Sequence, residues 1–128
     1  MIDRAFIIDD DEISIFLTSV MLETELFARH IESFDNAKDA LIQLRNSNNE
    51  LLPQVIFLDL NMPVLSGWEF LDALTENEER YKDKCSVFIL TSSVDEQEKE
   101  LAKQYRLVTG FLQKPLDERA IRRIKSRI

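Results

Sequence analysis

The sequence predicts an α/β protein built on a doubly wound, five-stranded open parallel sheet, and three observations carry that prediction. Short β-branched or aromatic runs alternate five times with helix-period segments, the pattern of a parallel sheet with helices on both faces. The runs Phe6-Ile7-Ile8 and Val55-Ile56-Phe57-Leu58 are continuously apolar, as strands covered on both sides must be. No linker, repeat or low-complexity stretch interrupts the 128 residues, so residues 1–128 read as one domain.

The first strand is expected at Arg4 to Ile8, followed by a helix whose stripe is Ile13, Leu17, Val20 and Met21. His30 to Phe34 is the second strand, and Ala37, Ala40, Leu41 and Leu44 mark the second helix. Gln54 to Leu58 is the third strand, Trp68, Leu71 and Leu74 the third helix, and the polar stretch Glu76 to Lys84 a solvated loop. Ser86 to Leu90 is the fourth strand, with Leu101, Ala102 and Tyr105 on the fourth helix. Gly110 to Gln113 is the fifth strand, and Ile121, Ile124 and Ile128 recur at helical spacing on the fifth helix.

Composition narrows the function. One Cys and one His exclude a disulfide framework or a structural zinc site, and a chain this long needs neither to hold a core. Its apolar runs, such as Ala5 to Ile8, fall far short of the roughly 20 residues of a membrane span. The Asp3-Arg4 start also argues against a secretory signal, so a cytoplasmic location is expected. The net charge is −8, unevenly placed: residues 1–100 hold 22 acidic and 8 basic side chains, residues 101–128 hold 2 and 8. General affinity of the body for nucleic acid is therefore not expected. Gly67 and Gly110 are the only glycines, too few for a P-loop or dinucleotide fingerprint.

In open parallel sheets, ligands sit outside the carboxyl ends of the strands. There the sequence places Asp9-Asp10-Asp11-Glu12 after the first strand and Asp59-Leu60-Asn61-Met62-Pro63 after the third. Thr91-Ser92 follows the fourth and Lys114-Pro115 the fifth. Packing Asp9, Asp10 and Asp59 together raises at least one pKa unless a cation is present. Oxygen-only ligation without nearby His or Cys points to a hard ion such as Mg²⁺. Asp11 and Glu12 read as helix-opening acids that cap free N–H groups. Gly67 relieves crowding or strain before the third helix, Trp68 has a packing role, His30 is structural, and nothing around Cys85 depresses its pKa.

These residues together resemble the response-regulator receiver domains, the CheY-like phosphoacceptor modules of two-component signalling, over essentially the whole chain. The resemblance rests on the acidic pair after the first strand, Asp59 within Leu58-Asp59-Leu60-Asn61-Met62-Pro63, Gly67, Thr91, and Lys114-Pro115, in order. It implies strand order 2-1-3-4-5 and Asp59 as phosphoacceptor, a nucleophile that gives an acyl phosphate. It also implies Mg²⁺ held by Asp10, Asp59 and the backbone carbonyl of Asn61, with Asp9 acting through water. Lys114 and Thr91 would stabilise the phosphoryl oxygens, and Phe111 would be the aromatic switch, in place of a frequent Tyr. The Lys114-Pro115 bond is commonly cis in the family, and Ser66 stands where an Asp or Asn often precedes the Gly. Asn61 and Ser93 occupy the positions that tune phosphoryl lifetime, and their small size implies a short-lived group.

The implied partners are a histidine kinase or histidine phosphotransfer protein and a downstream target. The target would be met on the face of the fourth predicted helix, fifth strand and fifth helix. The sequence ends with that fifth helix, so the expectation is a stand-alone switch or phosphorelay intermediate, which modifies itself and is not an enzyme in the ordinary sense. Five basic residues from Arg119 to Arg127 suit the helix dipole or an acidic partner surface. The alternative is a Mg²⁺-dependent aspartyl-phosphate phosphohydrolase, which wants an acid two residues after the nucleophile, where this chain has Asn61. An FMN carrier of the flavodoxin type is disfavoured, because Asp9-Asp10-Asp11 would repel the FMN phosphate.

Overall fold

Four consecutive buried side chains form β3 (Val55–Leu58), the central strand of a five-stranded parallel sheet in a computed structural model that describes residues 1–128. The strands β1 (Ile2–Ile8), β2 (Ala28–Phe34), β4 (Ser86–Thr91) and β5 (Val108–Gln113) complete it in the order β2–β1–β3–β4–β5. Between them run α1 (Glu12–Thr24), α2 (Ala37–Asn46), α3 (Gly67–Thr75), the short α4 (Glu78–Tyr81) and α5 (Glu96–Ala102), and α6 (Glu118–Lys125) follows β5. No helix is long and apolar enough to cross a membrane.

Alternate strand residues feed two cores. Phe6, Ile8, Ile56, Leu58, Val87 and Ile89 pack against α2, α3 and α5 on one face, where Leu44, Phe70, Leu74 and Ala102 meet them. Ala5, Ile7, Val55, Phe57, Phe88 and Leu90 pack on the other face against Leu22 of α1 and Ala120, Ile121 and Ile124 of α6. Each fully buried Val, Leu, Ile or Phe side chain among them contributes about 1.5–3 kcal/mol relative to exposure, so the continuous apolar runs hold the strands from both sides. Gly110 pairs with Phe88 across β4 and β5, and a Cβ there would lie 2.8 Å from the Phe88 ring.

The helices start where the sequence places capping side chains. Asp11, Asn36, Ser66, Asp95 and Asp117 each accept hydrogen bonds from free amides at the starts of α1, α2, α3, α5 and α6, with a reciprocal Ser66–Glu69 box at α3.

The strands differ from the expected ones by one or two residues at an end, and three further differences concern the helices. On α1, Ile13, Leu17 and Val20 face solvent, with Phe16 beside them, while Thr18 and Leu22 are buried. This helix is apolar around most of its circumference, so spacing alone does not choose the inner face. The stretch Glu76 to Lys84 is not wholly loop: it contains α4, whose Tyr81 is buried. Neighbouring Arg80 donates from Nη1 to the Leu44 carbonyl at 3.0 Å and from Nη2 to the Ser47 carbonyl, satisfying free acceptors at the end of α2. Tyr105 and Ile128 lie beyond the ends of α5 and α6. Tyr105 instead donates to Asp72 of α3 at 2.6 Å and lies 5.9 Å from the Trp68 ring.

Candidate functional site

The strand ladder continues one residue past β1 and β3, and this continuation places the acids. The Asp9 amide donates to the Phe34 carbonyl and the Asp59 amide to the Ile8 carbonyl, each at 3.0 Å. The Lys114 amide donates to the Thr91 carbonyl at 2.6 Å, bringing the fifth strand end to the same edge. The Lys114-Pro115 peptide bond is cis.

Asp9, Asp10 and Asp59 each offer a carboxylate oxygen within 4.8 Å of the others. Asp9 is 3% exposed and Asp59 9%, while Asp10 is open to solvent. The Asp59 carboxyl is pushed up to about 6, chiefly by burial; Lys114 opposes the shift, Asp9 and Asp10 add to it, and the Asn61 amide draws it back. Asp9 takes three donors: the Asp11 amide on Oδ1 at 3.0 Å, and the Ser14 hydroxyl and Lys114 ammonium on Oδ2, both at 2.6 Å. The ammonium lies 3.9 Å from Asp59 Oδ1. An all-oxygen donor set with a nearly buried acid of raised pKa fits a hard divalent cation such as Mg²⁺, which would relieve the repulsion.

Gly67 explains how α3 approaches this edge. Its amide donates to the Leu60 carbonyl at 3.0 Å. A Cβ there would lie 2.5 Å from the Asp59 carbonyl oxygen and 2.8 Å from the Leu60 Cα, so the crowding expected from the sequence is present, without a positive φ. In the same loop Val64 has φ of 68° and is 97% exposed, a costly conformation for a β-branched residue.

The remaining predicted residues differ in depth, and Cys85 and His30 lie away from the strand ends that carry the acids. Thr91 is buried at the end of β4, and its hydroxyl donates to the Ser93 carbonyl at 3.2 Å, within its own turn. Asn61 and Ser93 are exposed. Phe111 is partly buried and packs on the core shared with α2, α3 and α5. Asp11 caps α1 as expected, His30 is exposed on β2, and burial pushes the Cys85 thiol up to about 12. Two features escaped the sequence reading: Ser14, bonded to Asp9, and the Tyr105–Asp72–Trp68 cluster. Only the position of Ser14 on the first turn after the acidic run signals its role.

With order β2–β1–β3–β4–β5, the winding direction reverses between β1 and β3. Both buried carboxylates stand at that reversal, the place where doubly wound sheets take ligands, and this coincidence defines an α/β protein of the CheY-like class. The family model described as response regulator receiver domain matches residues 5–125, and the chain belongs to that family. It is a receiver domain of two-component signalling, a family whose members in general accept a phosphoryl group on aspartate and bind Mg²⁺ at an acidic pocket.

A two-component response regulator from Cytophaga hutchinsonii is 29% identical with a TM-score of 0.89, over 98% of this chain and 96% of that one. A response regulator receiver protein from Dyadobacter fermentans DSM 18053 is 26% identical with a TM-score of 0.86, over 97% and 95%. Hybrid signal transduction histidine kinase L of Dictyostelium discoideum is 25% identical over 97% of this chain, which spans 7% of that protein.

Proposed function

We propose that this chain is a phosphoryl switch in which Asp59 receives a phosphoryl group from a histidine kinase or histidine phosphotransfer protein. The observation that carries this reading is the Asp59 carboxyl, nearly buried at the switch point, within 4.8 Å of Asp9 and Asp10 and 3.9 Å from an ammonium. Asp10, Asp59 and the Asn61 carbonyl, with Asp9 behind them, would hold Mg²⁺, which when bound supplies neutralising charge for an incoming phosphoryl anion.

An Asp59 oxygen attacks phosphorus, the P–N bond to the donor imidazole breaks, and the imidazole departs as the acyl phosphate forms. Ionised Asp59 is the nucleophile, so its proton must already have left, which a pKa of about 6 permits at neutral pH. Lys114, between Asp9 and Asp59, balances the added charge as a point cation. The Thr91 hydroxyl can exchange its bond to the Ser93 carbonyl for one to a phosphoryl oxygen, and Phe111 turns inward behind it. The chain is then modified on its own Asp59, and the donor is released without its phosphoryl group.

Two surfaces serve this switch. Exposed Ile13 and Leu17 of α1 border a groove beside Lys114 and Leu116, next to the acids, where a donor must approach. The α5–β5–α6 face is the output surface, and Arg119, Arg122, Arg123 and Lys125 are all exposed on α6, suiting an acidic partner. The phosphohydrolase alternative is not retained, because the amide at Asn61 cannot serve as the acid it needs.

Incubation with a small acyl phosphate and Mg²⁺, followed by intact mass measurement, tests the reading. Wild type gains one phosphoryl group, and Asp59→Asn or added EDTA abolishes the gain. Equal labelling of Asp59→Asn, or none of wild type, overturns it.

A further inference from the structure

We propose that Ser14 is a positioning residue of the cation site, acting on Asp9 through its hydroxyl; the inference rests on the Mg²⁺-dependent reading above. A carboxylate turns about its Cβ–Cγ bond in a broad, roughly two-fold well, so one donor leaves its plane loose. Asp9 has a donor on each oxygen from the start of α1, the Asp11 amide on Oδ1 and the Ser14 hydroxyl on Oδ2. These two fix the plane. Lys114 shares Oδ2, but its ammonium ends a flexible four-carbon stem and also faces Asp59. Once that ammonium moves to balance a phosphoryl group, Ser14 and the Asp11 amide are the donors left to hold Asp9.

The backbone beneath Ser14 suits this task. The Asp11 carboxylate accepts from the amides of both Ile13 and Ser14, at 2.9 and 3.4 Å, so the hydroxyl is carried on the capped first turn of a helix. Asp9 is almost completely buried, and a lost donor there is not readily replaced by bulk water. Asp9 stands behind the direct ligands and would orient a metal-bound water, and groups that fix such outer partners set the geometry of the site and hence its affinity.

The test compares wild type with Ser14→Val and Ser14→Thr, which have the same shape and differ in the hydroxyl, using calorimetric titration with Mg²⁺ alone. Thermal melts confirm that each variant is folded, and Ser14→Ala serves as a second hydroxyl-free form. Ser14→Val and Ser14→Ala are expected to bind Mg²⁺ about 10-fold more weakly, while Ser14→Thr stays within about two-fold of wild type. All are expected to label on Asp59 at saturating Mg²⁺. Equal affinity of the Val and Thr variants overturns the role of the hydroxyl. If wild type binds Mg²⁺ and accepts a phosphoryl group while Val and Thr agree, only the Ser14 inference falls. If wild type does neither, the switch reading falls and takes this inference with it.

Discussion

Lys114 rests on Asp9 more closely than on Asp59: its ammonium is 2.6 Å from Asp9 Oδ2 and 3.9 Å from Asp59 Oδ1. Removing it in Lys114→Ala leaves two nearly buried carboxylates unbalanced, costing about 3 kcal/mol of stability in metal-free buffer. Mg²⁺ affinity stays the same or rises, because a competing cation has gone, while the response of the phosphorylated form weakens. Calorimetry and denaturant melts read both effects. Lost Mg²⁺ binding together with a normal response contradicts the role given to Lys114.

The Asp59 carboxyl makes the metal-free protein sensitive to pH. Its folded pKa of about 6 lies above the ordinary 3.8, so the fold favours the protonated form. That contribution is whole below about pH 3.8 and is lost as pH rises through about 6. Asp59→Asn removes the ionisation, so near pH 8 it should be more stable than wild type by on the order of 1–2 kcal/mol, after screening at the exposed edge is discounted. The difference should vanish toward about pH 4. A constant difference across this range, measured by urea unfolding without metal, rejects the assignment.

Gly67→Ala places a Cβ 2.5 Å from the Asp59 carbonyl oxygen. The backbone on both sides must move, at a cost of about 1–3 kcal/mol. Because Asp59 itself is displaced, phosphoryl labelling should fall further than the loss of folded protein explains. Labelling that tracks the folded fraction, at a temperature where both proteins are native, counts against this coupling.

Val64 holds a left-handed backbone with its side chain in water. Asn tolerates that conformation better, so Val64→Asn should stabilise the protein by about 1 kcal/mol. An unchanged or lower denaturation midpoint shows that the loop adopts this conformation without strain.

Asn61 and Ser93 are small and exposed and occupy the positions that the family resemblance assigns to tuning phosphoryl lifetime, where neither carries the bulk to shield an acyl phosphate from water. The acyl phosphate on Asp59 should therefore decay within hours in Mg²⁺ buffer, followed by intact mass. Persistence over days refutes this.

Much of the architecture could be read from residues whose constraints are local. Val55 to Leu58 is apolar throughout because both faces are covered, and Asp9, Asp59, Thr91 and Lys114 stand at strand ends that such runs define. The rest depends on partners remote in sequence. The outward turn of Ile13 and Leu17 follows from how α1 docks, and α1 is apolar on more than one side. Helix α4 is stabilised by Arg80 reaching the end of α2 and by Tyr81 entering the core, neither visible in a charged stretch. Apart from its place on the first turn, nothing in the local sequence distinguishes Ser14 from any other helix serine; its role follows from the 2.6 Å bond to Asp9, five residues away.

The apolar outer side of α1 and the basic outer side of α6 answer to different properties of the solvent. Contacts made through Ile13, Phe16 and Leu17 are strengthened by excluded solutes such as sulfate. Contacts made through Arg119, Arg122 and Arg123 fade once the Debye length falls to about 3 Å, near 1 M salt. Solution composition alone thus separates the two surfaces: a concentrated excluded salt favours association through α1 while screening association through α6.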